Sequence, residues 1–223
     1  MTGRPTASTA ATTRAPVRVL PADRVDFRDL QLVLGARGQA SRCQCQRYRL
    51  APGESFAGTA VEDRRHRLQE QTSCDEPGGS TTSGLVALRG DVPVGWCAVA
   101  PRTAYRGLAR QQVPWLGRYE DATDTSVWAV TCVLVRAGHR RQGVSGALVA
   151  AAVEHARDGG ARRLEAYPMT TTQAVTEELH CGLLGTFLAA GFTEVLRPTA
   201  RRAVVQVDLE GRRPRARTAG ERP

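Results

Sequence analysis

The sequence predicts a mixed α/β fold with strands on both sides of one central helix, and three observations carry this. The almost continuous apolar run Val127–Val135 has the length and character of a strand buried on both faces. It leads through Arg140-Arg141-Gln142-Gly143-Val144-Ser145-Gly146, a turn rich in Arg and Gly, into an amphipathic helix that Asp158-Gly159-Gly160 stops. Shorter apolar runs bounded by turn residues lie before and after this unit.

Residues 17–20 alternate as a short strand. Residues 23–34 read as a helix that buries Val25, Leu30, Val33 and Leu34 and closes on Gly35. Thr59-Ala60-Val61-Glu62 has capping-box spacing, in which a Thr hydroxyl and a Glu carboxylate satisfy N–H groups reciprocally; a charged helix to residue 71 should follow. Residues 74–83 are a Gly/Ser/Thr loop. Residues 85–88 and 92–100 form a hairpin around Arg89-Gly90-Asp91. Residues 101–126 are loop-like, with Pro114, Gly117 and a group of acids. The helix from Gly143 puts Val144, Leu148, Ala151 and Ala152 on one stripe. Residues 163–167 are a strand ended by Pro168, residues 183–190 a helix closed by Gly191, and residues 192–196 and 203–209 two last strands. Residues 1–16 and 211–223 are polar and aperiodic, so disordered tails are expected to flank one domain over residues 17–210.

Composition narrows the class. Hydrophobic residues make up 41% and charged residues 24%, ordinary for a globular chain. No apolar run approaches the roughly 18 residues that span a bilayer. The N-terminus lacks an apolar signal core, so a cytoplasmic protein is expected. The net charge is +9, and all 31 basic residues are Arg. With aromatics at only 5%, no basic face interleaved with rings emerges, and nucleic acid is not the expected partner. Of the six cysteines only Cys43-Gln44-Cys45 forms a close pair, and no second pair at zinc-ligand spacing follows. Free thiols and no metal are expected.

The turn at 140–146 is an anion site by its physics. Unpaired N–H groups and the positive end of the helix dipole meet at one point, and Gly143 lets a ligand approach the backbone. Arg140-Arg141-Gln142-Gly143-Val144-Ser145 resembles the cofactor motif of the GNAT superfamily of acetyl-CoA-dependent N-acetyltransferases, with Ser in its last small position. Gly185-Thr186-Phe187-Leu188-Ala189-Ala190-Gly191-Phe192 is similar to the family's late helix ending in Gly-Phe, and residues 203–209 to its closing strand. Val94-Gly95-Trp96, Pro101-Arg102, the start of the central strand and Glu165-Ala166-Tyr167-Pro168 resemble a bacterial, largely uncharacterised subgroup whose members often carry a Cys-x-Cys segment. The resemblance implies an α/β fold with a mixed, mostly antiparallel central sheet flanked by helices and splayed at the cofactor site. It implies acetyl-CoA as co-substrate, with Val133, Leu134 and Val135 along the pantetheine and Arg140, Arg141, Gln142, Gly143, Val144, Ser145 and Gly146 around the pyrophosphate. The implied partners are acetyl-CoA and an amine acceptor, with a homodimer left open and no membrane.

The chemistry is less regular. Many members use a Glu on the fourth strand as base; that position falls near Ala129. Many use a Tyr on the late helix as acid; here Leu188 follows Phe187. The candidates that remain are Glu165 and Tyr167, which alternate onto one face of their strand, and His180 beside Cys181 before the late helix. Each has a plain alternative, as a solvated acid, a packed ring or a surface histidine. His139 is expected to be structural and His155 exposed. Cys132 is a disfavoured covalent route. Glu120, Asp121 and Asp124 stand either as a cation lure or as a solvated loop, and Cys43, Cys45 and Tyr48 border the acceptor. The first reading is N-acetyl transfer to a primary amine of a small molecule or protein by direct attack in a ternary complex. The alternative is an acyl-CoA-binding regulatory module with reduced catalysis, and a nucleic-acid-binding protein ranks last.

Overall fold

The computed structural model describes residues 15–78, 82–175 and 177–209. The expected tails lie outside the described residues, apart from residues 15 and 16. The strands are β1 (Val17–Pro21), β2 (Leu85–Arg89), β3 (Val92–Pro101), β4 (Val127–Val135), β5 (Arg163–Ala166), β6 (Thr193–Thr199) and β7 (Arg202–Asp208). They pair in one sheet of order β1-β2-β3-β4-β5-β7-β6, antiparallel except where β4 meets β5. This is the mixed, mostly antiparallel sheet flanked by helices that the sequence led us to expect.

One face carries α4 (Val144–Asp158) and the short α5 (Leu184–Leu188). Val144, Leu148, Val149, Ala152, Val153 and Ala156 of α4 are buried against β2, β3 and β4. The approach is close: a Cβ on Gly95 of β3 would stand 2.8 Å from a Val144 methyl. The opposite face carries α1 (Phe27–Leu34), α2 (Gln39–Cys43) and α3 (Val61–Thr72), packing Phe27, Leu30, Val33, Leu34 and Leu68 against Val86, Trp96, Ala98 and Cys132.

Several local expectations change. The helix expected over 23–34 begins only at Phe27, because Asp26 is its cap and accepts from the Arg28 N–H at 2.6 Å; residues 22–24 form a separate single turn. The capping box does not form: the Thr59 hydroxyl turns back to the Ser55 carbonyl at 2.9 Å, and the helix is capped at Ala60. The 101–126 loop contains two short 3₁₀ turns, Arg102–Ala104 and Arg106–Arg110. His155, expected to be exposed, is half-buried edge-on to Trp128 with ring centroids 5.7 Å apart.

Two irregularities in β4 position the site. Pairing with β5 runs only from Val127 to Val130 and stops, so the rest of β4 has no partner on that side. At the same place the ladder with β3 slips: Val130 opposes Val99 and Cys132 opposes Ala98, leaving Thr131 as an extra residue. The bulge changes the alternation. Before it Trp128 and Val130 face α4; after it Val133 and Val135 do, and Cys132 and Leu134 turn towards α1.

Candidate active site

The unpartnered end of β4 borders two cavities. One, of about 330 Å³, lies between β4 and α5 and is lined by Val133, Leu134, Val135, Arg140, Arg141, Ser145 and Phe187 among others. The other, of about 630 Å³, lies between β4 and the α1–α2 region, with Cys43, Cys45, Arg47, Cys132, Leu134 and Glu177 in its wall. Leu134, Val135, Arg140 and His180 line both, so the cavities meet at the end of β4.

The turn after β4 has the geometry of an anion cradle. Arg141 and Gly143 both take left-handed backbone, φ +55° and +81°. Gly143 caps α4 with no side-chain hydrogen bond, so helix geometry leaves the first N–H groups after it without helical partners. The space beyond the Gly143 Cα is open. Gln142 is a brace: its side-chain oxygen accepts from Arg89 at 3.0 Å, its carbonyl accepts a second Arg89 bond, and its amide donates to the Gly138 carbonyl. Val144 is buried in the core, so only its N–H remains for a ligand. Of the residues that the resemblance assigned to the cofactor, Val133, Leu134, Val135, Arg140, Arg141 and Ser145 line the smaller cavity, while Gln142, Gly143, Val144 and Gly146 do not.

The three catalytic candidates separate. His180 stands at the junction of the cavities. Its Nδ1 lies 2.6 Å from the Glu177 carbonyl, which can only accept, so Nδ1 carries the proton and Nε2 the lone pair. The Tyr48 hydroxyl donates to Nε2 at 3.3 Å. Burial, with the charges of Arg47 and Arg202, lowers the imidazole to about 4 and keeps it neutral at neutral pH.

Glu165 and Tyr167 line neither cavity. Glu165 is fully buried, with Oε2 3.1 Å from Arg102 and Oε1 2.6 Å from Arg118, and the Tyr167 hydroxyl donates to it at 3.0 Å. Burial raises the Glu165 pKa, but the Arg118 hydrogen bond and the two guanidinium charges outweigh it and hold the acid below its usual range. Burial and the Glu165 charge push the Tyr167 phenol well up. The expectation that these two face the cleft as base and acid is therefore corrected, because a sealed, doubly paired carboxylate has no open lone pair for an amine. The acids of the 101–126 loop are also engaged away from the cavities. Glu120 pairs with Arg118 and Arg163, Asp124 pairs with Arg162, and Asp121 accepts from Thr123.

Sequence reasoning named Tyr48, Cys43 and Cys45 only as acceptor-side residues. It did not foresee the Tyr48–His180 contact, which joins positions 132 residues apart, or the Trp96 indole N–H donating to Cys45 Sγ at 3.0 Å. No periodic signal links such positions; only the fold does. All six cysteines are free, and no cluster of metal-ligating side chains occurs among the described residues. Among those residues no helix is long and apolar enough to cross a membrane.

The family described as the acetyltransferase (GNAT) family matches residues 48–182. No curated protein matches the chain. Among solved structures the chain is similar to an N-acetyltransferase from Staphylococcus aureus Mu50, at 11% identity and TM-score 0.49, over 89% of this chain and 100% of that one. It is similar to the ribosomal-protein-alanine N-acetyltransferase of Brucella melitensis at 18% identity and TM-score 0.49, over 87% and 99%. A third is yncA of Salmonella typhimurium with its cofactor acetyl-CoA, at 14% identity and TM-score 0.47, over 90% and 98%.

Proposed function

Because the chain belongs to the GNAT family of acetyltransferases, we propose that it moves an acetyl group from acetyl-CoA to a primary amine by direct attack in a ternary complex. The observation that carries this reading is the free end of β4. A strand edge from Thr131 to Val135, open on the β5 side, runs along a cavity that ends at the Arg140–Gly146 turn. Free backbone groups on an exposed edge suit the amides of a pantetheine arm. The turn, with its N–H groups and Arg140 and Arg141, suits the pyrophosphate at the end of that arm.

The amine acceptor takes the larger cavity on the α1–α2 side, so that donor and acceptor meet where His180 lines both. Holding the two together and polarising the thioester with strand N–H groups supplies most of the acceleration. His180 Nε2, vacated by the Tyr48 hydroxyl as substrate enters, takes the proton that the attacking nitrogen loses. It returns that proton to the departing coenzyme A thiolate, so the amide and the free thiol leave with no net proton uptake. Glu165, Tyr167, Arg102 and Arg118 fix the strand beside β4 and touch neither substrate.

Calorimetric titration with acetyl-CoA, followed by thiol release with a panel of amines, tests this reading. Saturable micromolar binding and turnover with at least one amine are expected. Binding without turnover on any amine would favour the regulatory module, and no binding would end the proposal.

His180→Ala is expected to lower turnover on the order of 10²-fold with little change in acetyl-CoA affinity. Tyr48→Phe removes the hydroxyl that donates to the Nε2 lone pair, a bond only the neutral ring can accept, so it should raise the apparent pKa of His180 and should cost less. The imidazole stays neutral down to about pH 4, so a pH–rate profile of the wild type should show no break from His180 near 6.5. An imidazole whose folded pKa lies below its unfolded value also costs stability as pH falls from about 6.5 towards 4.

A further inference from the structure

Three thiols line the larger cavity, and the acetyl-transfer chemistry uses none of them: Cys43, Cys45 and Cys132. They are not equivalent. Cys45 sits just after α2, where Gln44 and Cys45 both take left-handed backbone, φ 48° and 52°. This costly conformation aims its side chain at β3 and β4. There the Trp96 indole N–H, a donor with no other capability, points at the sulfur at 3.0 Å. Cys132 lies in the wall of the same cavity and in the buried cluster against which Cys45 packs. A donor aimed at the Cys45 sulfur favours its thiolate. Cys45 remains half-buried at the cavity, whereas Cys132 is buried.

We propose that Cys45 and Cys132 form a thiol–disulfide exchange pair in the wall of the acceptor cavity, Cys45 attacking a small-molecule disulfide and Cys132 resolving it. In the first step the Cys45 thiolate bonds to one sulfur of the disulfide R–S–S–R. The S–S bond breaks and R–S⁻ leaves, giving Cys45–S–S–R. In the second step the Cys132 thiol loses its proton to solvent or the departing thiolate and attacks Cys45 Sγ. A second R–SH leaves, and Cys45–S–S–Cys132 remains. The electrons balance: one external disulfide is reduced to two thiols and one internal pair is oxidised.

The two sulfurs differ as this order requires. The Cys132 hydrogen bond is the largest influence lowering Cys45, with burial opposing it, Trp96 next and the Arg49 charge adding to it. The hydrogen bond to Cys45, then burial, holds Cys132 well above its usual value. Capping of Cys45 removes the first of those influences, so the resolving thiol is freed only after the attack has occurred. Cys43 lacks these donors; burial and the Cys45 charge raise it. The exchange chemistry stands independently of acetyl transfer. Only its consequence for turnover, a cavity occupied by the R group or tightened by the internal bridge, rests on that reading.

The test is oxidised glutathione on the reduced full-length protein, followed by alkylation and peptide mass mapping. The wild type should form the Cys45–Cys132 bridge, and Cys132→Ser should stop at a glutathione adduct on Cys45. Cys45→Ser should form neither at a comparable rate. Should Cys45→Ser fold poorly, competitive alkylation of the wild type by iodoacetamide between pH 6 and 8 replaces it, with Cys45 expected to react at least about tenfold faster than Cys43 at the acid end. A first adduct on Cys43 or on any other thiol, equal alkylation rates, or failure of Cys132→Ser to accumulate the mixed species would each overturn the proposal. Loss of exchange with acetyl transfer intact, or the reverse, separates this inference from the acetyltransferase reading.

Discussion

Gly143→Glu is expected to abolish measurable acetyl-CoA binding while the domain stays folded. Gly143 has φ +81° and open space beyond its Cα, so the new side chain meets no neighbour and the strain on the backbone is about 1–2 kcal/mol. The damage is electrostatic. A carboxylate enters the ring of N–H groups at the start of α4, where the ligand would bring its own negative charge, and like charges so placed cost several kcal/mol. A fall in affinity of about 100-fold or more is expected. Gly143→Ala carries the same strain without the charge and should lose far less. Calorimetry measures both, with thermal melts as the folding control. Wild-type affinity in a folded Gly143→Glu protein would remove the basis for an anion site in this turn.

Glu165→Gln is expected to destabilise the domain by about 3 kcal/mol, in the range for removing one partner of a buried ion pair. The amide keeps the shape but leaves Arg102 and Arg118 facing each other across a neutral group. Their remaining bonds, to the Asp121 and Pro114 carbonyls and to Glu120, offset part of the loss. Chemical denaturation should show a lower midpoint at unchanged slope. The pH dependence has a definite sign. The folded pKa of Glu165 lies below its unfolded value, so its stabilisation is complete above the unfolded carboxylate range and fades as pH falls through the folded value. The gap between wild type and variant should therefore shrink in acid. A variant as stable as the wild type at neutral pH, with turnover reduced, would return Glu165 to the reaction.

The local grammar of the chain was legible where one segment decides its own structure. Apolar runs placed the strands, Gly and Pro placed the breaks, and the strand–turn–helix unit placed β4, the left-handed turn at Gly143 and α4. Two errors came from side chains with a choice of partner. Thr59 prefers the Ser55 carbonyl to the helix cap, and Asp26 captures the start of α1. The larger error was Glu165. Its alternation along β5 correctly paired it with Tyr167 on one face, but the face itself depends on Arg102 and Arg118, which are 63 and 47 residues away. Charge in the 101–126 loop stood either as a cation lure or as a solvated loop; Glu120 and Asp124 instead pair with Arg118, Arg163 and Arg162, and Asp121 accepts from Thr123. His180 drew notice as a lone titratable residue; its partner Tyr48 could be assigned only once both chain ends of the cavity were in place.

The extra residue at Thr131 divides β4 into two lengths with separate obligations. Upstream, substitutions answer to folding alone, since those side chains are enclosed by helix and neighbouring strands. Downstream, the positions divide by cavity: Val133 answers to the one beside α5, Cys132 to the one beside α1, and Leu134 and Val135 to both. On the proposed reading Cys132 is thus the position where a change on the acceptor side leaves the donor's track untouched, and drawing Thr131 into the regular ladder would exchange the two linings at a stroke. One extra amino acid thus decides which side chains of this strand each cavity receives.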